Sequence, residues 1–161
     1  YDTEFVGVLD RTSIFWMNSS QNAYRQAFPQ FKNMHVGLNE HINGGVLFFT
    51  KNHKPLFDTL KQFYLDNKPI LDNWNVPNTG KEQTLLNFHI KQAGIKCKYL
   101  PYEWNTVGMI KKGMLWHNDK LNDRTPFLLK YAYLWHFTGF PIEQRNQLIN
   151  QLWAGIKHNY V

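Results

Sequence analysis

Two acids one residue apart, Asp2 and Glu4, stand directly before the apolar run Phe5 to Leu9. Placed at a turn, both carboxylates can reach one hard divalent cation, which prefers oxygen ligands. A further donor is His136, which ends YAYLWH and is followed by Thr138 and Gly139. A neutral imidazole ligates Mn2+ well, and Gly139, having no Cβ, allows backbone to approach a phosphate closely. Asn43-Gly44-Gly45 precedes a second apolar run. There the bare glycine amides can meet a ligand, while the Asn43 amide offers both donor and acceptor to sugar hydroxyls. Glu82 and Gln83 open a helical pattern, and Trp104-Asn105 follows Pro101 and Tyr102. An indole face stacks on the apolar side of a pyranose, with the neighbouring amide free to bond its hydroxyls.

Each of these groups also has a purely structural reading. Paired acids are often just solvated, and a strand-end His is often just hydrogen-bonded. Asn-Gly-Gly suits a bulge or tight turn. A carboxylate in a first helical turn gains about 0.3 to 1 kcal/mol from the helix dipole, and loop aromatics commonly pack.

The elements that must position these residues alternate between strand-like and helix-like patterns, which predicts an α/β fold. Glu4 to Leu9 reads as a buried strand, and Ser20 to Phe28 as a helix stopped by Pro29. Gly45 to Thr50, continuously apolar, predicts a strand inside the sheet. His53 to Asn67 predicts a helix with Leu56, Phe57, Leu60, Phe63 and Tyr64 on one stripe, and Pro69 to Gly80 a loop. Thr79 and Gly94 bracket a helix from about Lys81 to Ala93, and Ile95 to Leu100 alternates as a half-exposed strand. Tyr131 to His136 is a further strand. Pro141 then opens a helix whose Leu148, Ile149, Leu152, Trp153 and Ile156 share a packing face.

The 161 residues suit a single domain. Hydrophobic residues make up 43% and charged residues 19%, an ordinary globular balance. The net charge is +6, but the 18 Lys and Arg form no run beyond Lys111-Lys112, which argues against a dedicated nucleic-acid surface. No stretch is apolar for long enough to span a bilayer, so no transmembrane segment is expected. The single cysteine, Cys97, cannot form an intrachain disulfide and reads as an inert buried thiol; a cytoplasmic location is the expectation. No P-loop, Gly-x-Ser-x-Gly, His-Glu-x-x-His or cysteine cluster is present, leaving kinase-like, serine-nucleophile and zinc chemistries without support.

Taken in order, the acidic pair and the blocks INGGVLFF, EQTLLNFHIKQAG, LPYEWN and HFTG resemble the second half of a GT-A-fold glycosyltransferase, closest to the retaining family 8 type. The resemblance covers about residues 1 to 140. It implies a GT-A-like mixed sheet with covering helices, the C-terminal part of a larger Rossmann-like domain. It also implies a hexosyltransferase-like activity, moving a sugar from a nucleotide-sugar donor, UDP-linked, to a glycan or other acceptor with Mn2+ or Mg2+. In that reading Asp2, Glu4 and His136 hold the metal and Glu82 and Gln83 grip the transferred sugar. Asn43, Gly44, Gly45, Trp104, Asn105 and Gly139 line the substrate site. The chain departs from the family pattern twice: Glu4 stands where an Asp is expected, and Ile142 where a phosphate-binding Lys is expected. It begins without Met and with a strand already under way, so the expectation is one domain over residues 1–161 lacking its N-terminal nucleotide-binding half. The alternative is a non-catalytic carbohydrate-binding or structural module derived from the same fold.

Overall fold

In a computed structural model, residues 4–10, 14–74, 81–105, 133–134 and 141–160 are described. The chain forms two compact units, Tyr1–Leu100 and Pro101–Val161. The first is mixed α/β. Its elements run β1 (Phe5–Leu9), α1 (Ile14–Ala27), β2 (Ile42–Phe48), α2 (Lys54–Asp72), α3 (Lys81–Gln92) and β3 (Cys97–Leu100).

Among the described strands, β1 is central, antiparallel to β2 and parallel to β3. The pairing of β1 with β2 jumps register. Gly7 faces Leu47 while the next residue, Val8, faces Asn43, so β2 carries Gly44, Gly45 and Val46 as an outward bulge. The Asn43 carboxamide oxygen accepts from the Gly45 amide at 2.8 Å and so fixes the turn. Gly7 is needed where the strands meet, because a Cβ there would lie 2.4 Å from Ile42 Cγ2.

The apolar run in β2 differs from the expected internal strand. Among the described residues β2 is an edge strand, and Phe48 and Phe49 are 49% and 54% exposed. The run is apolar because α2 covers it from one side, the Phe49 ring sitting 4.6 Å from that of Phe57. An apolar run cannot distinguish cover on one face from cover on both.

Helix α1 starts earlier than its periodicity suggested, because its first turn packs little: Phe15 is 85% exposed. It ends as expected, at Pro29, in a short 3-10 turn, Pro29–Phe31. Before α2, the Thr50 hydroxyl accepts from the Asn52 amide while His53 Nδ1 accepts from the Thr50 amide at 3.0 Å. Helix α2 runs through Pro69 to Asp72, where a loop was expected. Its last turn is held by Lys68 on Asp72, Tyr64 on Asp72 and the Asn73 side chain on the Pro69 carbonyl. Those bonds offset the donor that Pro69 lacks.

Helix α3 matches its expected bounds and ends at Gly94, whose φ of 63° is the left-handed conformation glycine adopts freely. Ile95 N–H reaches the Ile90 carbonyl and Gly94 N–H the Lys91 carbonyl, a Schellman closure. The Thr79 cap lies outside the described residues. From Gln83 to Ile90 every residue of α3 is buried, because the helix lies between two apolar clusters. Leu85 and Phe88 join an aromatic block with Tyr24, Phe28, Phe31, Phe63 and Trp74. Leu86 and Ile90 join Phe5, Ile42 and Leu56 against the sheet. Cys97 is half-buried where a buried thiol was expected, and burial pushes the thiol up to about 11.

In the second unit a 3-10 turn, Tyr102–Trp104, is followed by described residues Tyr133 and Leu134, whose amides both bond the Glu103 carbonyl. Helix α4 (Ile142–Tyr160) follows Pro141 as expected. Of its apolar stripe, Leu148 is half-buried, while Ile149 and Trp153 are 43% and 56% exposed. The expected strand Tyr131 to His136 falls almost wholly outside the described residues.

Candidate functional site

The carboxyl end of β1, the bulge in β2 and the first turns of α3 converge on one side chain, Gln83. Its carboxamide oxygen accepts from the Gly44 amide at 2.9 Å, and its nitrogen donates to the carboxylate of Asp10, the residue directly after β1. These two partners fix which end of the amide is which, since the Gly44 N–H requires an acceptor and the Asp10 carboxylate a donor. Gln83 is 8% exposed and Asp10 6%. One N–H and one oxygen lone pair of the amide remain for a ligand.

One turn on, Asn87 locks the same strand end. Its oxygen accepts from the Ile42 amide at 2.7 Å, and its nitrogen donates to the carbonyls of Ile42 and Gln83, each at 2.8 Å. Behind it the Thr84 and Ser20 hydroxyls share a 2.6 Å hydrogen bond that ties α3 to α1. The Asp10 amide donates to the His41 carbonyl at 2.7 Å, so the strand end and the loop entering β2 are joined by backbone as well. His41 itself is fully buried, edge-on to Trp16, with neither ring nitrogen hydrogen-bonded among the described residues. Burial brings its pKa down to about 4, against a smaller opposing pull from the Asp10 charge, which keeps the ring neutral at physiological pH.

Of the sequence-derived site residues, Asn43, Gly44, Gly45 and Gln83 come together here, although some forty positions separate the two blocks. Glu82 is exposed, and with Gln83 and Gly44 it edges a cavity of about 710 Å3 whose other walls include Leu47, Phe57 and Leu60. Such a volume suits a small organic ligand. Trp104 and Asn105 belong to the second unit, where Asn105 is buried and the Trp104 ring lies 5.3 Å from that of Tyr133. Asp2, His136 and Gly139 lie outside the described residues; Glu4 is half-buried at the head of β1. Among the described residues no group of three His, Cys, Asp or Glu could hold a metal ion, and no helix is long and apolar enough to cross a membrane.

Sequence reasoning missed Asp10, His41 and Asn87. Asp10 carried a usable signal, being the acid at the carboxyl end of a buried strand, where α/β folds gather ligands. Asn87, inside a helix, carried none. No family model, curated protein or solved structure matches this chain.

Proposed function

We propose that the chain is the sugar-handling part of a divalent-metal-dependent glycosyltransferase of GT-A type, acting on a nucleotide-sugar donor and a glycan or related acceptor. The observation that carries this reading is the junction of two blocks that the family resemblance assigns to the donor sugar. The Asn43-Gly44-Gly45 bulge and Gln83 are in direct hydrogen-bond contact. Together they present backbone amides, a half-committed carboxamide and a carboxylate along one seam, a donor and acceptor set suited to a polyhydroxylated ring.

In this reading Gln83 acts as a positioned amide. Asp10 and Gly44 prevent it from rotating, so its remaining lone pair faces the anomeric carbon where positive charge develops, without reorganisation during the step. Asn43 and the bulge amides orient hydroxyls, and Glu82 adds negative charge at the cavity rim. The metal is assigned to Asp2, Glu4 and His136, two carboxylates and an imidazole, a donor set that fits Mn2+. Bound there, the cation would offset charge on the departing diphosphate.

Thermal stabilisation tests the proposal. Mn2+ with a UDP-sugar should raise the melting temperature, and Asp2→Ala or His136→Ala should abolish that shift. Gln83→Ala should lower transfer on the order of a hundredfold while leaving metal-dependent stabilisation in place. Stabilisation by free glycan without metal would instead favour a non-catalytic sugar-binding module.

A further inference from the structure

A second cavity, of about 750 Å3, shares no residue with the first. It lies at the opposite end of the α2 and α3 pair, between the start of α2 (Asn52, His53, Pro55, Leu56, Thr59) and the end of α3 with its following turn (His89 and Gln92 to Lys96). The chemistry of its walls is one-sided: a lysine and two imidazoles, and no carboxylate.

Three features point an oxyanion at this space. His53 is 5% exposed, and its Nδ1 is occupied by the Thr50 amide. That bond puts the neutral ring's proton on Nε2, which has no hydrogen-bond partner among the described residues and lies on a ring lining the cavity. The Lys96 ammonium makes no ion pair among the described residues, where the ion pairs are Lys54–Asp58, Lys68–Asp72 and Lys91–Glu40. The amino-terminal end of α2, nineteen residues long, adds the positive end of a helix dipole. His89 is neutral by burial between Phe31 and Phe63 and supplies wall, not charge.

We infer that this cavity binds a small phosphate monoester, its phosphate held by His53, Lys96 and the start of α2, and its organic part lying over Pro55, Leu56 and Ile95. A phosphate has enough oxygens to meet the imidazole, the ammonium and the helix end together, and the cavity has room beyond it for a small organic body. This site is independent of the proposed sugar site.

The test is an imidazole-detected NMR titration of the full chain with inorganic phosphate and then glycerol 3-phosphate. The expected result is a saturable shift of the His53 signals, tighter for the ester, and weakened at least about tenfold in Lys96→Glu through the reversed charge. Lys61→Glu, on the wall of the other cavity, makes the same change in net charge and should leave the titration unaltered. The proposal is overturned if the His53 signals do not move, if Lys61→Glu weakens binding as much as Lys96→Glu, or if only phosphatidic-acid vesicles and no free ester produce the shift. Should Lys96→Glu fold poorly, Lys96→Gln must still weaken the titration.

Discussion

Helix α3 is buried on two faces that do different work. On one, Leu85 and Phe88 enter the aromatic block, where Phe31 touches Tyr24, Phe28, Phe63 and Phe88 with ring centroids 5.0 to 6.4 Å apart. On the other, Gln83 and Asn87 spend their amides on strand-end backbone and on Asp10. Apolar contact is large in energy and indifferent to direction, whereas a hydrogen bond contributes a net of only about 1 kcal/mol but fixes orientation. The aromatic face therefore holds the fold, and the amide face holds the candidate site in register.

If that division is right, the largest loss of stability comes from the aromatic face. Phe31→Ala, at a site with no exposed surface, should cost about 3 to 5 kcal/mol in urea unfolding. A cost below about 1 kcal/mol would mean the block collapses freely and does not carry the fold.

Next in size is a pH effect on the amide side. The His41 imidazole, ordinarily near 6.5, is held to about 4 when folded. Between those pH values the unfolded chain binds a proton that the folded chain refuses. Stability fully present above about pH 6.5 should thus fall by roughly 3 kcal/mol as pH drops toward 4. His41→Phe should flatten this part of the pH profile, and an unchanged slope would place the acid sensitivity elsewhere.

Asn87→Leu separates the faces most directly. It keeps apolar volume but orphans the Ile42 amide and carbonyl, at about 1 to 3 kcal/mol. Because that strand end leads straight into the Asn43 bulge, sugar-dependent stabilisation should suffer more than folding does. Equal losses in both would reduce Asn87 to a packing residue.

Legibility in the sequence followed the same division. Helix α3 was readable to within a residue because Gly94 is a stop with a backbone reason, and β1 because a short apolar run has few other uses. The meeting of Asn43-Gly44-Gly45 with Gln83 was readable only as a resemblance, since it depends on a register jump between Gly7 and Val8 that no local pattern encodes. Pro69 misled because the bonds that rescue it come from long polar side chains one or two turns away. The edge position of β2 was hidden because hydrophobicity reports burial and not which element provides it.

The smallest effect belongs to the exposed carboxyl end of α3, where Lys91 meets Glu40 at 2.7 Å with both side chains about half exposed. The Lys91 hydrogen bond, then the Gly37 amide, hold the Glu40 carboxyl below its ordinary value, so this pair's contribution is present near neutrality and fades as acid protonates Glu40. Water and salt screen such a pair, and Lys91→Ala should lower stability by less than about 1 kcal/mol, with the difference shrinking as salt rises. A larger, salt-insensitive loss would show that Lys91 supports the loop Gly37–Glu40, and through it the strand entry at His41 and Ile42, by packing its methylene stem rather than by charge.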